Sequence, residues 1–239
     1  MTRVVTLSAL LALLAGSVHA ADTTADQLLD SALKALGGQQ EGIAITAHGW
    51  DACLGQPWAV KDGWARWELT DYHRSYDYKN GASKHNTLRR AGMDSQHLGG
   101  CGAQPNAAAA PQQGLIDANS PWADQLLVWM SPQGFLQQLA AGKPVIAQEG
   151  SGWQATVPVP RDGINYKLVG HFNANAELAS VQSWIDDPVF GDMEVTAEFG
   201  PYRKFLGTTF PASFTLKQGG FATLALTIDN VTTSSDAIL

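Results

Sequence analysis

Four carboxylates stand close together late in the chain and are the first candidates for catalysis: Asp186, Asp187, Asp192 and Glu194. Paired carboxylates can split their pKa values and then serve as general acid and general base, which would make the protein a hydrolase. The same residues lie within Asp-Asp-Pro and Phe-Gly-Asp, however, and both are common turn sequences. The turn interpretation is therefore favoured, and an unrecognised hydrolase is kept as an alternative.

Metal-dependent and nucleophilic chemistry find little support. The five histidines after the first 20 residues form no His-x-His or His-Glu-x-x-His pair that could start a zinc site; they are His48, His73, His85, His97 and His171. The chain has no Gly-x-Ser-x-Gly nucleophile motif and no phosphate-binding loop. We therefore expect no catalytic residue, no metal and no cofactor, and a protein that is not an enzyme.

A concentration of aromatic side chains is the strongest sign of a binding site. The candidate ligand-binding residues are Trp50, Trp64, Trp67, Tyr72 and Tyr76. Such residues could line a groove for an acyl chain, a hydrophobic peptide or a flat ligand. They could also fill the concave side of a large sheet as ordinary core residues, which is the favoured interpretation for the aromatics taken alone. Both interpretations stay open at the level of the sequence.

The two cysteines, Cys53 and Cys101, are an isolated even pair. In an exported protein such a pair is most simply a disulfide. Closing a loop of this size would stabilise the fold by on the order of 4 kcal/mol in the chain-entropy model. A redox or nucleophilic thiol is the alternative, but it lacks a Cys-x-x-Cys motif.

The first 20 residues are typical of a secretory signal peptide. Arg3 supplies a basic start, residues 4–14 are apolar, and Val18-His19-Ala20 suits a signal peptidase. The apolar run is shorter than the roughly 20 residues of a membrane span. We expect cleavage near Ala20, a periplasmic or secreted protein, and one domain over residues 21–239.

The charge balance narrows the choice of partners. The formal net charge is −7, and only 15% of residues are charged although the chain has eight Trp. A negative protein is a poor partner for nucleic acid or for an anionic membrane surface. A large apolar content with few charges suits a β-rich fold and could line a groove for a hydrophobic small molecule such as a lipid.

Local patterns predict two helices and leave a third open. A capping box of Thr24 and Gln27 begins a helix over residues 24–36, which Gly37-Gly38 ends. Ser131 and Pro132 begin a second helix, as N-cap and first helical residue, and Gly142 ends it. Residues 122–130 fit either a helix or a strand.

The rest of the chain is dominated by the alternation that is typical of half-buried strands. Gly219-Gly220 suits a tight hairpin turn because glycine takes positive φ angles. The stretch 64–78 has aromatics on both faces, so it is covered on both sides or contains a bulge. Residues 89–120 are expected to form a long irregular excursion. The predicted strands cover residues 43–50, 64–78, 164–172, 178–185, 193–199, 210–217 and 222–229.

Several segments carry a resemblance: Asp187-Pro188-Val189-Phe190-Gly191-Asp192-Met193, Tyr202-Arg203-Lys204-Phe205-Leu206-Gly207, Phe210-Pro211 and Gln218-Gly219-Gly220-Phe221. The chain resembles the non-catalytic N-terminal module that precedes the hydrolase domain in some secreted bacterial metallo-β-lactamase-fold proteins. The His-x-His-x-Asp-His ligand motif of those hydrolases is absent, so their activity is not implied. The architecture is also similar to the curved sheet of periplasmic lipoprotein carriers.

The expected fold is therefore α+β, with a strongly curved antiparallel sheet, a half-barrel, and two or three helices packed on or in it. The leading functional hypothesis is an exported, non-catalytic module that binds a hydrophobic ligand in the groove of this sheet. The resemblance implies an alternative, an accessory module for a metallo-β-lactamase-fold hydrolase on a separate chain. The hydrolase hypothesis requires its carboxylates to cluster in a cleft with raised pKa values.

Overall fold

The computed structural model describes residues 24–52, 54, 64, 66–91, 110–188 and 191–233. The predicted signal peptide lies outside the described residues, and so do Cys53 and Cys101 with their predicted disulfide. Residues 92–109, the middle of the predicted irregular excursion, also lie outside them.

The described residues form three helices and thirteen strands, mostly antiparallel sheet, which confirms a strand-rich α+β fold. The helices are α1 (Ala25–Ala35), α2 (Trp122–Trp129) and α3 (Pro132–Ala141). The strands are β1 (Gly42–Ala52), β2 (Arg66–Asp77), β3 (Ala82–Ala91), β4 (Ala110–Ile116), β5 (Val145–Glu149), β6 (Gly152–Arg161), β7 (Ile164–Phe172), β8 (Leu178–Asp187), β9 (Gly191–Phe199), β10 (Tyr202–Phe205), β11 (Thr208–Pro211), β12 (Ser213–Gln218) and β13 (Phe221–Thr233).

Eleven strands make one sheet in the order β4-β3-β2-β1-β13-β12-β9-β8-β7-β6-β5, and β10 pairs with β11 separately. The first and last strands of the described chain, β1 and β13, pair with each other, with Ile43 opposite Thr233. The outermost strands, β4 and β5, do not pair with each other, and the sheet is not strongly curled, so the half-barrel is not confirmed. The helices cover one apolar face of the sheet, which buries that face without closure.

The helix signals are confirmed at both predicted sites. Thr24 accepts a hydrogen bond from the Gln27 backbone and Gln27 reaches back to Thr24, as in a capping box. Ser131 accepts from Gly134 N–H at 3.3 Å with Pro132 at the first helical position. The ambiguous stretch 122–130 is helical as α2, and its buried side chains pack on the sheet beside those of α3.

The sheet carries two buried clusters on its helix-covered face. One joins the three helices to β6, β7, β8, β9 and β12, with Phe135 and Leu168 fully buried. The other joins β1, β2 and β13 to Val128 of α2. The Gly219-Gly220 turn between β12 and β13 has the predicted positive φ angles, 55° and 84°.

Two predicted segments differ from the strands that the structure forms. The excursion predicted over residues 89–120 is wrong at its ends, because β3 continues to Ala91 and β4 begins at Ala110. β4 pairs with β3 from Ala110 to Ile116, so a partner strand orders residues whose own composition favours loops. The run predicted over residues 210–217 is divided at Ala212 between β11 and β12.

Candidate functional site

The inner face of the sheet, defined as the face that the helices cover, becomes polar where β2 and β3 pair. Across this pair, Tyr72 lies opposite Thr87 and Arg74 lies opposite His85. One step further along, Tyr76 lies opposite Ser83. All of these except His85, which is half-buried, are buried residues. A row of polar groups therefore lies on the same face of the sheet as the two apolar clusters.

A bulge in β2 brings these side chains inward. The register of β2 against β3 shifts between Leu69 and Asp71, so Thr70 has no partner on β3. An extra residue in one strand reverses the alternation beyond it. Trp67 and Leu69 before the bulge and Tyr72 after it consequently share the inner face, which confirms the bulge that the sequence left as one of two interpretations.

Arg74 is the most buried cation of this row, with 4% of its surface exposed. Its Nε donates to the Tyr72 hydroxyl at 2.6 Å and one terminal nitrogen donates to Ser83 Oγ at 2.8 Å. Burial opposes its charge, but Tyr72 and Tyr76 hold the pKa of Arg74 above its ordinary value. None of the ion pairs among the described residues includes Arg74, so its charge has no carboxylate partner there.

Two neighbours of Arg74 carry buried atoms without a hydrogen-bond partner in the described part of the chain: His85 Nδ1 and Thr87 Oγ1. Thr87 is 6% exposed. Burial, together with the positive charge of Arg74, lowers the pKa of His85 to about 4, so the imidazole is neutral at physiological pH. Buried polar groups are nearly always paired in folded proteins, so these two atoms require an explanation.

Arg74, His85 and Thr87 line one cavity of about 310 Å³. Most of the polar part of its wall comes from β2, β3 and β4, where Gln112 adds an amide, and Asp51, Gln218 and Thr223 add polar groups from β1, β12 and β13. The apolar part is made by four leucines of β2, α2, β12 and β13, namely Leu69, Leu127, Leu216 and Leu224. The cavity thus combines cationic and hydrogen-bonding groups with aliphatic side chains, and its volume is at the lower limit of the roughly 300–1,000 Å³ of small-molecule sites.

A second arginine lines the same cavity but is neutralised. Arg89 forms an ion pair with Asp51 at 2.9 Å, and its guanidinium stacks 3.9 Å from the centre of the Trp67 ring. Burial raises the pKa of Asp51 above its usual value although Arg89 opposes this shift. Because the charges of Arg89 and Asp51 cancel, Arg74 gives the wall a net positive charge.

The structure brings together three of the five predicted aromatic residues and separates the other two. Tyr72 lines the cavity, Tyr76 is buried beside Arg74, and Trp67 lies under Arg89. Trp50 alternates with the cavity residue Asp51 along β1, so it faces the opposite side of the sheet, where Arg66 stacks on it at 4.0 Å. Trp64 does not line the cavity; its ring centre lies 4.4 Å from that of Phe221, in a neighbouring depression that shares Gln218 with the cavity. The five residues therefore do not line a single groove.

The carboxylates considered for hydrolysis occupy the β8–β9 hairpin. Asp186, Asp192 and Glu194 are exposed, and Asp186 lies opposite Asp192. Asp192 and Glu194 border a small depression of about 210 Å³ beside Trp64. The burial that the hydrolase hypothesis requires is missing for these three groups.

The described histidines other than His85 pair with nearby carboxylates. The contacts are His48 to Asp229 at 2.9 Å, His73 to Asp71 at 2.7 Å and His171 to Glu149 at 2.6 Å. Within the described ranges, no group of three His, Cys, Asp or Glu side chains is arranged to hold a metal ion. None of the helices in those ranges combines the length and apolar character needed to cross a membrane.

Sequence reasoning missed five residues of this site, which are Arg74, His85, Thr87, Asp51 and Arg89. One signal for Arg74 was present in the sequence. Tyr72, Arg74 and Tyr76 recur at every second position, a spacing that places a cation between two aromatics on one face of a strand. The bulge at Thr70 hid which face of the sheet these residues occupy.

No protein-family model matches the sequence, and no curated protein matches it. The resemblance to the N-terminal module of metallo-β-lactamase-fold proteins therefore stays a prediction from the residues quoted for it.

Proposed function

We propose that the protein is an exported, non-catalytic binding module that holds a small ligand with a hydrophobic part in the cavity between α2 and the sheet. One observation carries this proposal. The cavity of about 310 Å³ combines four leucines with buried polar atoms that have no partner among the described residues. Unpaired buried polar groups cost free energy, and a bound ligand would offset that cost.

The proposal agrees with two expectations from the sequence. A non-catalytic module is what the resemblance implies, and a groove on a sheet is what the similarity to lipoprotein carriers implies. In this proposal the groove is the cavity beneath Leu127 of α2, lined by Tyr72. Of the predicted aromatic residues, Tyr72 would contact the ligand, while Trp67 and Tyr76 would support Arg89 and Arg74.

Native mass spectrometry of the protein purified from the periplasm tests the proposal. The native mass is compared with the mass of the same sample after denaturation. We expect an additional mass that is lost on unfolding and that identifies the ligand. A native mass equal to that of the bare chain would contradict the proposal and shift support to an accessory module for a separate hydrolase.

The accessory module finds less support in the described residues. Their exposed large apolar side chains come from five different strands and one turn; they are Leu88, Leu115, Val145, Ile164, Leu206 and Phe221. A docking surface would require such residues to be contiguous. The cavity is therefore the better-supported site.

A further inference from the structure

We propose that Arg74, Thr87 and His85 form an oxyanion subsite, which takes the carboxylate or phosphate group of an amphipathic ligand whose apolar part lies against the leucines. This inference rests on the proposed function and specifies the class of ligand. It concerns an acidic head group rather than a neutral lipid or a peptide.

The charge of Arg74 is the first argument. A guanidinium has five N–H donors, and Arg74 uses two of them for Tyr72 and Ser83. Both partners are neutral hydroxyls, and no ion pair of the described residues includes this arginine. A buried cation is ordinarily paired with an anion, and the planar fork of arginine suits a carboxylate or a phosphate.

The donors beside Arg74 are the second argument. Thr87 Oγ1 and His85 Nδ1 are buried without partners in the described part of the chain, and both residues line the same cavity as Arg74. A hydroxyl can donate to an oxyanion, and so can the Nδ1–H tautomer of a neutral imidazole. Since Arg74 lies directly opposite His85 in the sheet, the three groups come from one small area of wall.

The other charges of the cavity do not oppose an anion. Asp51 is the acidic residue of its described wall, and Arg89 pairs with it at 2.9 Å. The aliphatic part, which includes Leu127, Leu216 and Leu224, explains why the ligand should be amphipathic. Burial of an alkyl chain there adds favourable free energy that a free inorganic anion cannot gain.

Isothermal titration calorimetry of the full protein with three probes tests this inference. The probes are octanoate, octan-1-ol of matched chain length, and inorganic phosphate. We expect octanoate to bind at least tenfold more tightly than either of the others. Equal binding of octanoate and octan-1-ol would overturn the oxyanion subsite while leaving a hydrophobic site intact. Equal affinities for phosphate and octanoate would support the oxyanion subsite. They would also show that it binds a free anion, which would contradict the amphipathic ligand.

Variants locate the effect. Arg74→Met should weaken octanoate binding roughly a hundredfold, and Thr87→Val roughly tenfold, since hydrogen bonds to charged groups are the stronger ones. Arg90→Met is the matched control, because Arg90 pairs with Glu68 on the outer face and should leave binding unchanged. If Arg74→Met does not fold, Thr87→Val alone tests the inference. Octanoate binding that is unchanged in Thr87→Val would overturn it. The oxyanion subsite would also be overturned if none of the three probes binds. The proposed function is tested separately, by the native mass spectrum.

Discussion

Arg74 and His85 lie directly opposite each other across the antiparallel pair of β2 and β3. A permanent cation thus stands beside an imidazole inside the wall of the cavity. The uncharged Gly114 of β4 faces the imidazole from the other side. This arrangement lowers the pKa of His85, so the imidazole stays neutral and adds no second positive charge beside Arg74.

The titration of His85 should reflect this neighbour. We expect an apparent pKa of about 4 in the folded protein, because burial and Arg74 both disfavour the imidazolium. An NMR titration of the imidazole resonances measures it. In Arg74→Met the pKa should rise only in part, since burial persists. A wild-type pKa near the ordinary value of about 6.5 would contradict the geometry.

The same shift makes stability depend on pH. Between about pH 6.5 and 4 the His85 imidazole of the unfolded chain binds a proton that the folded chain does not, so stability falls as the pH falls through this window. Denaturant unfolding at several pH values should show a shallower fall in His85→Gln than in the wild type. If stability falls with pH by the same amount in both proteins, His85 does not contribute to the pH dependence.

Gly114 should be intolerant of a side chain. A Cβ at this position would collide with the His85 imidazole, so Gly114→Ala forces the ring to move. We expect a loss of about 1–3 kcal/mol in the free energy of unfolding, typical of overpacking. Gly114→Ala should cost less stability in the His85→Ala background than in the wild type, because the imidazole with which it collides is gone. A single variant as stable as the wild type would contradict the placement of the ring.

The hydroxyls of Thr87 and Ser83 should have opposite effects on stability. Thr87→Val removes a buried hydroxyl without a partner among the described residues and should leave the free energy of unfolding unchanged or raise it by about 1 kcal/mol. Ser83→Ala removes an acceptor of Arg74 and should lower it by about 1–3 kcal/mol. Chemical denaturation measures both. A marked loss of stability in Thr87→Val would mean that the threonine is paired within the protein.

The two helix caps offer a matched comparison. Ser131 accepts from Gly134 N–H, donates to Val128 O at 2.7 Å, and lies 3.1 Å from the Tyr78 hydroxyl in the core. Ser131→Ala should therefore lower the free energy of unfolding by about 2 kcal/mol, which is the upper end of the range for N-cap substitutions. Thr24→Ala at the exposed cap of α1 should cost about 0.5–1 kcal/mol. Thermal or denaturant unfolding measures both variants. Equal losses of stability in Ser131→Ala and Thr24→Ala would contradict the idea that burial strengthens the Ser131 cap.

Local features of the fold were predictable because they depend on neighbouring residues. The capping box at Thr24, the Ser131-Pro132 helix start and the Gly219-Gly220 turn are all present in the structure. The pairing of β1 with β13 was not predictable, because it joins residues as distant as Ile43 and Thr233. Alternation within a strand does not indicate which strand will be its neighbour.

The candidate site was predictable only in part for the same reason. Tyr72 was recognised from its aromatic character, and it does line the cavity. Arg74 and His85 meet only through the register of β2 with β3, and the bulge at Thr70 determines which face they share. Trp50 was grouped with Tyr72 and the other predicted aromatic residues by closeness in sequence, although it faces the other side of the sheet.

Crystallography of the protein with 8-bromooctanoate tests the central claim most directly, because the bromine gives an anomalous signal. We expect the carboxylate beside Arg74 and Thr87, and the bromine peak among Leu127, Leu216 and Leu224. A bromine peak elsewhere, for example beside Trp64 and Phe221, with none in this cavity, would contradict the assignment of the cavity as the ligand site.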